Sequence, residues 1–220
     1  MEDLARQGDL PGAVAQPTEG GAVRTASRHA RRMASSAVDR AHAVANDLFD
    51  RDAATYGADL TRYYGHVHRV IGLVGEQRDV AEGEAYPLGV AAYYHDAGIW
   101  FDDTWDYLPQ SIRRAVAELG PSGEQHAALV TALIDEHHRI RRARSAAPLV
   151  EAFRRADLID VSRGLVTAGV PRSTYGELRR RYPDTGFRRM LLRAFGRGLR
   201  ADPLHPAPML KFGPLTSLKF

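Results

Sequence analysis

Apolar residues recur at helical spacing along most of this chain and almost nowhere alternate with polar ones, so the pattern predicts helices and no sheet. From Val23 to Asp50 there is neither Pro nor Gly, and Ala, Arg, Val and Leu dominate; a long helix with a polar face is expected. Between Asp59 and Gly75, the residues Tyr63, Val67, Val70, Ile71 and Val74 fall on one inward face. Tyr86–Gly98 is rich in Ala, Val and Tyr, with Pro87 near its start, which reads as a buried helix. After the irregular aromatic stretch WFDDTWDYLPQS, helices are expected at Gln110–Leu119, Gly123–Arg144 and Ala147–Leu165, the first stopped by Gly120-Pro121. Two shorter ones are expected near 173–182 and 186–199, ahead of the Pro-rich ADPLHPAPMLKFGP. The reading is all-α: one bundle of about eight helices over 23–220, preceded by a flexible tail at 1–22 rich in Gly and Pro. No internal repeat is visible.

Composition narrows the chemistry. A chain of 220 residues, 44% hydrophobic and 26% charged, has the makeup of an ordinary globular protein. Cys is absent, which excludes disulfide scaffolds, Cys-based zinc sites, iron–sulfur clusters and Cys nucleophiles. No apolar run reaches the roughly 18 residues of a membrane helix, and MEDLARQGDLPGAVAQ lacks the apolar core of a secretory signal. A cytoplasmic location without membrane partners is expected. Of 30 basic residues only Lys211 and Lys219 are Lys, a bias that reads most simply as a GC-rich coding sequence. The formal charge is only +3, with 27 acidic residues interleaved, so a nucleic-acid partner is not expected.

The candidate chemistry lies in His and Asp residues at positions where apolar residues belong. His95 and Asp96 end the Tyr86–Gly98 helix in AAYYHDAGIW, His66 lies in GHVHRVIGLV beside the apolar face, and Asp157 and Asp160 lie in RRADLIDVSRG. Buried groups of this kind must be paired or liganded. Arg69 is one turn from His66 and addresses the same cavity. Mixed nitrogen and oxygen donors from three helices suit a divalent transition metal, Mn, Co, Ni, Zn or Fe.

Three of these segments, in this order, resemble the HD superfamily of metal-dependent phosphohydrolases. GHVHRV is similar to its H-x-x-R-V segment, YYHDAGIW to its HD helix, and ADLID to its final A-D-x-x-D. The resemblance covers about 60–165 and leaves 166–220 as a helical extension. It implies an HD-type helical bundle in which His66, His95, Asp96 and Asp157 ligate one metal, the x-x-R spacing choosing His66 over His68. It further implies Asp160 as a residue that orients a ligand or pairs with Arg69 or Arg163, and Arg69 as a phosphate-binding residue. The family's Gly-Lys after HD is replaced by Gly98-Ile99, so its Lys is missing.

Asp102, Asp103 or Asp106 of the following loop can then supply a general acid or base. His137 and His138 in LIDEHHRIRR resemble the segment where larger HD enzymes bind a second metal. The upstream His126 is 11 residues from His137, about 16 Å along one helix, so a complete second-metal set is not expected. His137 or His138, with Arg139, Arg141 or Arg142, is read instead as a catalytic wall facing phosphate, and Arg163 as a further substrate contact. Tyr93, Tyr94, Trp100 and Trp105 can stack on a substrate ring or belong to the core. His29, His42 and His205 are read as surface or packing residues, and Lys211 as a residue that can fold back over the pocket. The function implied is release of phosphate from a small phosphomonoester, such as a nucleotide or phosphorylated metabolite, with a homodimer possible. The alternatives are an HD-type diiron oxygenase and a non-catalytic ligand-binding HD domain.

Overall fold

The structure, a computed structural model, describes residues 19–192 except 103 and 105, with side chains from Ser36 onward. The described residues are all-helical, with eight α-helices and no strand. They are α1 (Glu19–Tyr56), α2 (Leu60–Gln77), α3 (Glu82–Tyr94), α4 (Gly98–Phe101), α5 (Leu108–Leu119), α6 (Ala127–Glu136), α7 (Pro148–Val161) and α8 (Arg172–Arg181). Of the expected tail, 1–18 lie outside the described residues, and 19–22 already belong to α1. The described extension contains α8, which packs on α2. No helix among the described residues is long and apolar enough to cross a membrane.

The order of packing follows from where apolar side chains lie. From Pro87 onward α3 is apolar on every side and wrapped: α1, α2, α5 and α6 all contact the helix, and Leu88, Val90, Ala91, Ala92 and Tyr93 have no exposed surface. A helix with no polar face is stable only when surrounded. Its start is set by Glu84, whose carboxylate accepts the Ala81 N–H and pairs with Arg78. Pro87 lies inside the helix rather than at its opening, so the hydrogen bond it cannot make is the one to the Gly83 carbonyl, near the solvent-exposed first turn. α2 is sandwiched between α1 and α7 and buries Tyr63 and every residue from Gly65 to Val74.

Two helix boundaries differ from expectation, and both matter for the site. The single helix expected over Gly123–Arg144 is a 3-10 segment (Pro121–His126) followed by α6, which stops at Glu136. The Glu136 carboxylate accepts the Arg144 and Ser145 N–H groups, folding residues 137–147 into a loop instead of another two turns. The helix containing the HD pair likewise ends at Tyr94, and His95–Ala97 form a turn into α4.

Close approach of α1 and α3 depends on Gly89: a Cβ there would lie 2.7 Å from both the Ala41 carbonyl oxygen and the Val44 Cβ. Gly83, on the same helix, has nothing within 4 Å of that position. Gly89→Ala should therefore destabilise the fold by about 1–3 kcal/mol through overpacking, while Gly83→Ala should be neutral or stabilise it by up to about 1 kcal/mol. Urea denaturation of the pair is the check; equal midpoints would refute the packing argument.

Candidate metal centre

Four helices and their ends deliver the polar groups to one point inside the bundle. His66 comes from the middle of α2, His95 and Asp96 from the end of α3, His137 and His138 from the turn after α6, and Asp157 and Asp160 from the last turns of α7. All of them except the partly exposed His138 are buried. Three overlapping groups lie close enough to share an ion: His66/His95/Asp157, His95/Asp96/His137 and His137/His138/Asp157.

The hydrogen bonds decide which ring nitrogen faces inward. His95 Nδ1 lies 2.7 Å from the Ala92 carbonyl, His137 Nδ1 2.6 Å from the Ile134 carbonyl, and His66 Nδ1 2.8 Å from Asp160 Oδ2. Carbonyls and carboxylates only accept, so each Nδ1 carries the proton and each Nε2 turns toward the common point. There His66 Nε2 is 3.0 Å from His95 Nε2 and 3.4 Å from Asp157 Oδ1. His137 Nε2 is 3.4 Å from Asp96 Oδ1.

Asp96 Oδ1, Asp157 Oδ1 and His137 Nε2 are buried with no hydrogen-bond partner. Inward lone pairs without donors are costly in a protein interior. A divalent cation in the His95/Asp96/His137 group meets Asp96 and His137, and one in the His66/His95/Asp157 group meets Asp157, so these donor sets fit a metal ion. His66, His95, Asp96, Asp157 and His137 are the residues that can hold it.

Electrostatics support the same arrangement. Burial lowers the His66 pKa, but the hydrogen bonds and charges of Asp157 and Asp160 outweigh it and raise the value to about 9. Burial depresses His95 to about 4, partly offset by Asp96. A protonated His66 Nε2 donating to a neutral His95 Nε2 accounts for their 3.0 Å approach. Burial also holds His138 down, to about 3. Desolvation pushes Asp96 and Asp157 upward, yet the surrounding imidazoles win and keep both carboxyls below the usual range. Burial also lowers His137, but Asp96 and Asp157 outweigh it and raise its pKa, so the centre draws protons onto His66 and His137 opposite two carboxylates, and an ion competes with them.

Several expectations are corrected by where the side chains point. Arg69 does not face the centre: its Nε and Nη2 donate to the Asp160 carboxylate at 2.5 and 2.8 Å, and Nη1 to the Tyr182 carbonyl at 2.8 Å. It therefore positions Asp160, which in turn orients His66, and spends three of its five N–H donors on these two partners. Asp102 is held by Arg114 through two contacts of 2.9 Å, a bidentate pair that keeps it ionised and turned away. Asp103 and Trp105 lie outside the described residues, as do His205 and Lys211 and the side chain of His29.

Arg163 faces Asp184 at 3.5 Å rather than the centre. Arg141 is exposed on the 139–146 loop, and Asp106 is exposed as well. His126 sits beside Tyr86, outside the cluster. Tyr93 and Tyr94 are core residues whose hydroxyls serve Asp52 and Glu118, and Trp100 packs on Tyr63 at 4.6 Å. His68 leaves the opposite side of α2, its Nδ1 2.6 Å from that of the half-buried His42.

Tyr107 is the functional neighbour the sequence did not disclose. Its hydroxyl is 2.5 Å from His138 Nε2 and is also shared with Asp96, tying the loop before α5 to the centre. A lone Tyr in an aromatic loop carries no spacing signal that would single it out. No family model, curated protein or solved structure matches the chain.

Two outcomes follow. Because an ion must displace the His66 proton, metal uptake should weaken roughly tenfold for each pH unit below about 9, until other groups titrate. Calorimetric titration in buffers of different ionisation heats should show about one proton or more released per ion at pH 7. Arg69→Ala leaves Asp160 buried without its guanidinium and should cost about 3–5 kcal/mol of stability, read as a lowered urea midpoint together with weakened metal binding.

Proposed function

We propose that this chain is a metal-dependent phosphohydrolase of the HD type that releases phosphate from a small phosphomonoester such as a nucleotide or phosphorylated metabolite. The observation that carries the proposal is the convergence of buried His66, His95 and His137 Nε2 atoms with the unpartnered Oδ1 atoms of Asp96 and Asp157. A divalent ion held there supplies a Lewis acid and a water of lowered pKa. The order and spacing of GHVHRV, YYHDAGIW and ADLID supply the second line of support.

The protein's own groups have distinct tasks in this reading. Asp160, clamped by Arg69 and Tyr175, keeps the Nδ1 proton of His66 in place, so that its Nε2 points inward. His138 is the one partly exposed member of the cluster, with 17% of its side chain accessible, and substrate approaches from its side. Its Nε2 is engaged by the Tyr107 hydroxyl and its Nδ1 lies 3.9 Å from Asp157 Oδ2, and burial keeps the ring neutral, so it serves as a hydrogen-bonding wall beside the ion site. Arg141, exposed on the loop that follows His138, is the cation available to phosphoryl oxygens.

One observation favours a second reading: His137, His138 and Asp157 form a further potential ion group beside His66/His95/Asp157, and two irons would suit oxygen chemistry. Metal content separates the two. Protein purified without added metal should carry one ion per chain and release inorganic phosphate from members of a phosphorylated-metabolite panel. His95→Ala and Asp96→Ala should lose both the ion and all detectable turnover. Two irons per chain with oxygen consumption and no phosphate release would overturn the hydrolase reading. Normal turnover in either variant would overturn the site.

A further inference from the structure

The end of the described chain carries a concentration of positive charge that the metal centre does not use. Between residues 163 and 192 there are seven Arg and only two acids, Glu177 and Asp184. Three of these Arg, at 163, 188 and 189, line one cavity of about 490 Å³, with Asp184, Thr185, Gly186 and Leu192 completing its wall. None of the metal-centre donors is among the lining residues. A space of this size is in the range that holds a small organic ligand.

The charges inside it are not balanced. Asp184 approaches Arg163 at 3.5 Å, while Arg188 and Arg189 form no ion pair with any described residue. Among the described lining residues, three guanidinium groups and one carboxylate leave two excess cations, which an entering anion would neutralise. Guanidinium forks match phosphate oxygens in a bidentate way and are weakly hydrated, so phosphate is the anion this wall selects.

Arg163 adds an independent mark. Its φ is +57°, in the left-handed region that a non-glycine residue enters at a conformational cost. That backbone turn directly follows α7 and brings Arg163 across to residues 184–189, so strain is stored where the cation is presented. Among the described residues the wall is about evenly polar and apolar and carries no aromatic ring for a base, which directs recognition to the phosphate groups themselves. A partly open concavity of this volume, rather than an extended flat stripe, fits a compact ligand better than a nucleic-acid strand.

From these observations we propose that the cavity lined by Arg163, Arg188 and Arg189 is a second binding site, separate from the metal centre, for the diphosphate or polyphosphate group of a small molecule. The site does not depend on the hydrolase reading, since it requires neither the ion nor turnover.

The test uses inorganic pyrophosphate as the probe, titrated calorimetrically into the full-length protein. Wild-type protein and the metal-centre variant Asp96→Asn should bind it alike, with affinity falling as salt rises. The double variant Arg188→Ala/Arg189→Ala should bind at least tenfold more weakly, with an unchanged circular dichroism spectrum and melting temperature. Arg163→Lys, which keeps the charge but loses the fork, should weaken binding severalfold. Absence of pyrophosphate binding by the wild type would overturn the proposal. So would equal binding by the double variant, or loss of binding in Asp96→Asn alone, which would assign the anion to the metal centre. A single-stranded RNA that binds more tightly than pyrophosphate and loses affinity in the same double variant would replace the small-molecule ligand with a nucleic-acid partner.

Discussion

Everything at the centre of this bundle depends on acceptors facing acceptors in a dry interior. Three imidazoles give their Nδ1 protons to outward partners, and two carboxylates aim oxygens at the same point. Such an arrangement is self-repelling unless a positive charge sits between its members. In the protein alone the His66 proton serves that purpose; a metal ion serves it better, because it can satisfy the three donors of one group together. Apolar packing brings α2, α3, α6 and α7 together, and the polar residues at their meeting point then call for a central cation.

Orientation is supplied from a layer further out, by Asp160. Its carboxylate receives His66 Nδ1, two nitrogens of Arg69 and the Tyr175 hydroxyl. Burial opposes ionisation of Asp160, but those donors hold its pKa below the usual carboxylate range. Arg69 also reaches the Tyr182 carbonyl, and Phe187 stacks on the His66 ring at 4.1 Å. The segment after α8 is thereby attached to the metal centre through a hydrogen bond and a ring contact. That same segment presents Arg188 and Arg189 on its other residues, which puts the basic cavity and the metal centre on one stretch of chain.

Much of the fold was legible because helical periodicity is a local property. The inward face of α2, the buried character of α3 and the presence of α5, α7 and α8 all follow from side-chain spacing. The helix end at Glu136 was not legible, because it is set by a carboxylate folding back on the N–H groups of Arg144 and Ser145. Sequence spacing within one helix placed His126 and His137 about 16 Å apart; the observed break means that His137 and His138 reach the centre from a turn, while His126 stays with Tyr86.

The sequence by itself determined which residues were out of place: a His in the apolar run of α2, a His-Asp pair ending α3, and two Asp in α7. Polar groups at buried positions are visible without coordinates, since the apolar pattern around them declares the burial. Only the tertiary structure decided what each one faces. It sent Arg69 to Asp160 instead of phosphate, Asp102 to Arg114 instead of the centre, and Tyr107 onto His138 and Asp96. These are pairings between distant parts of the chain. Spacing along a helix fixes the side from which a residue projects, but partners are chosen by the packing of helices against one another.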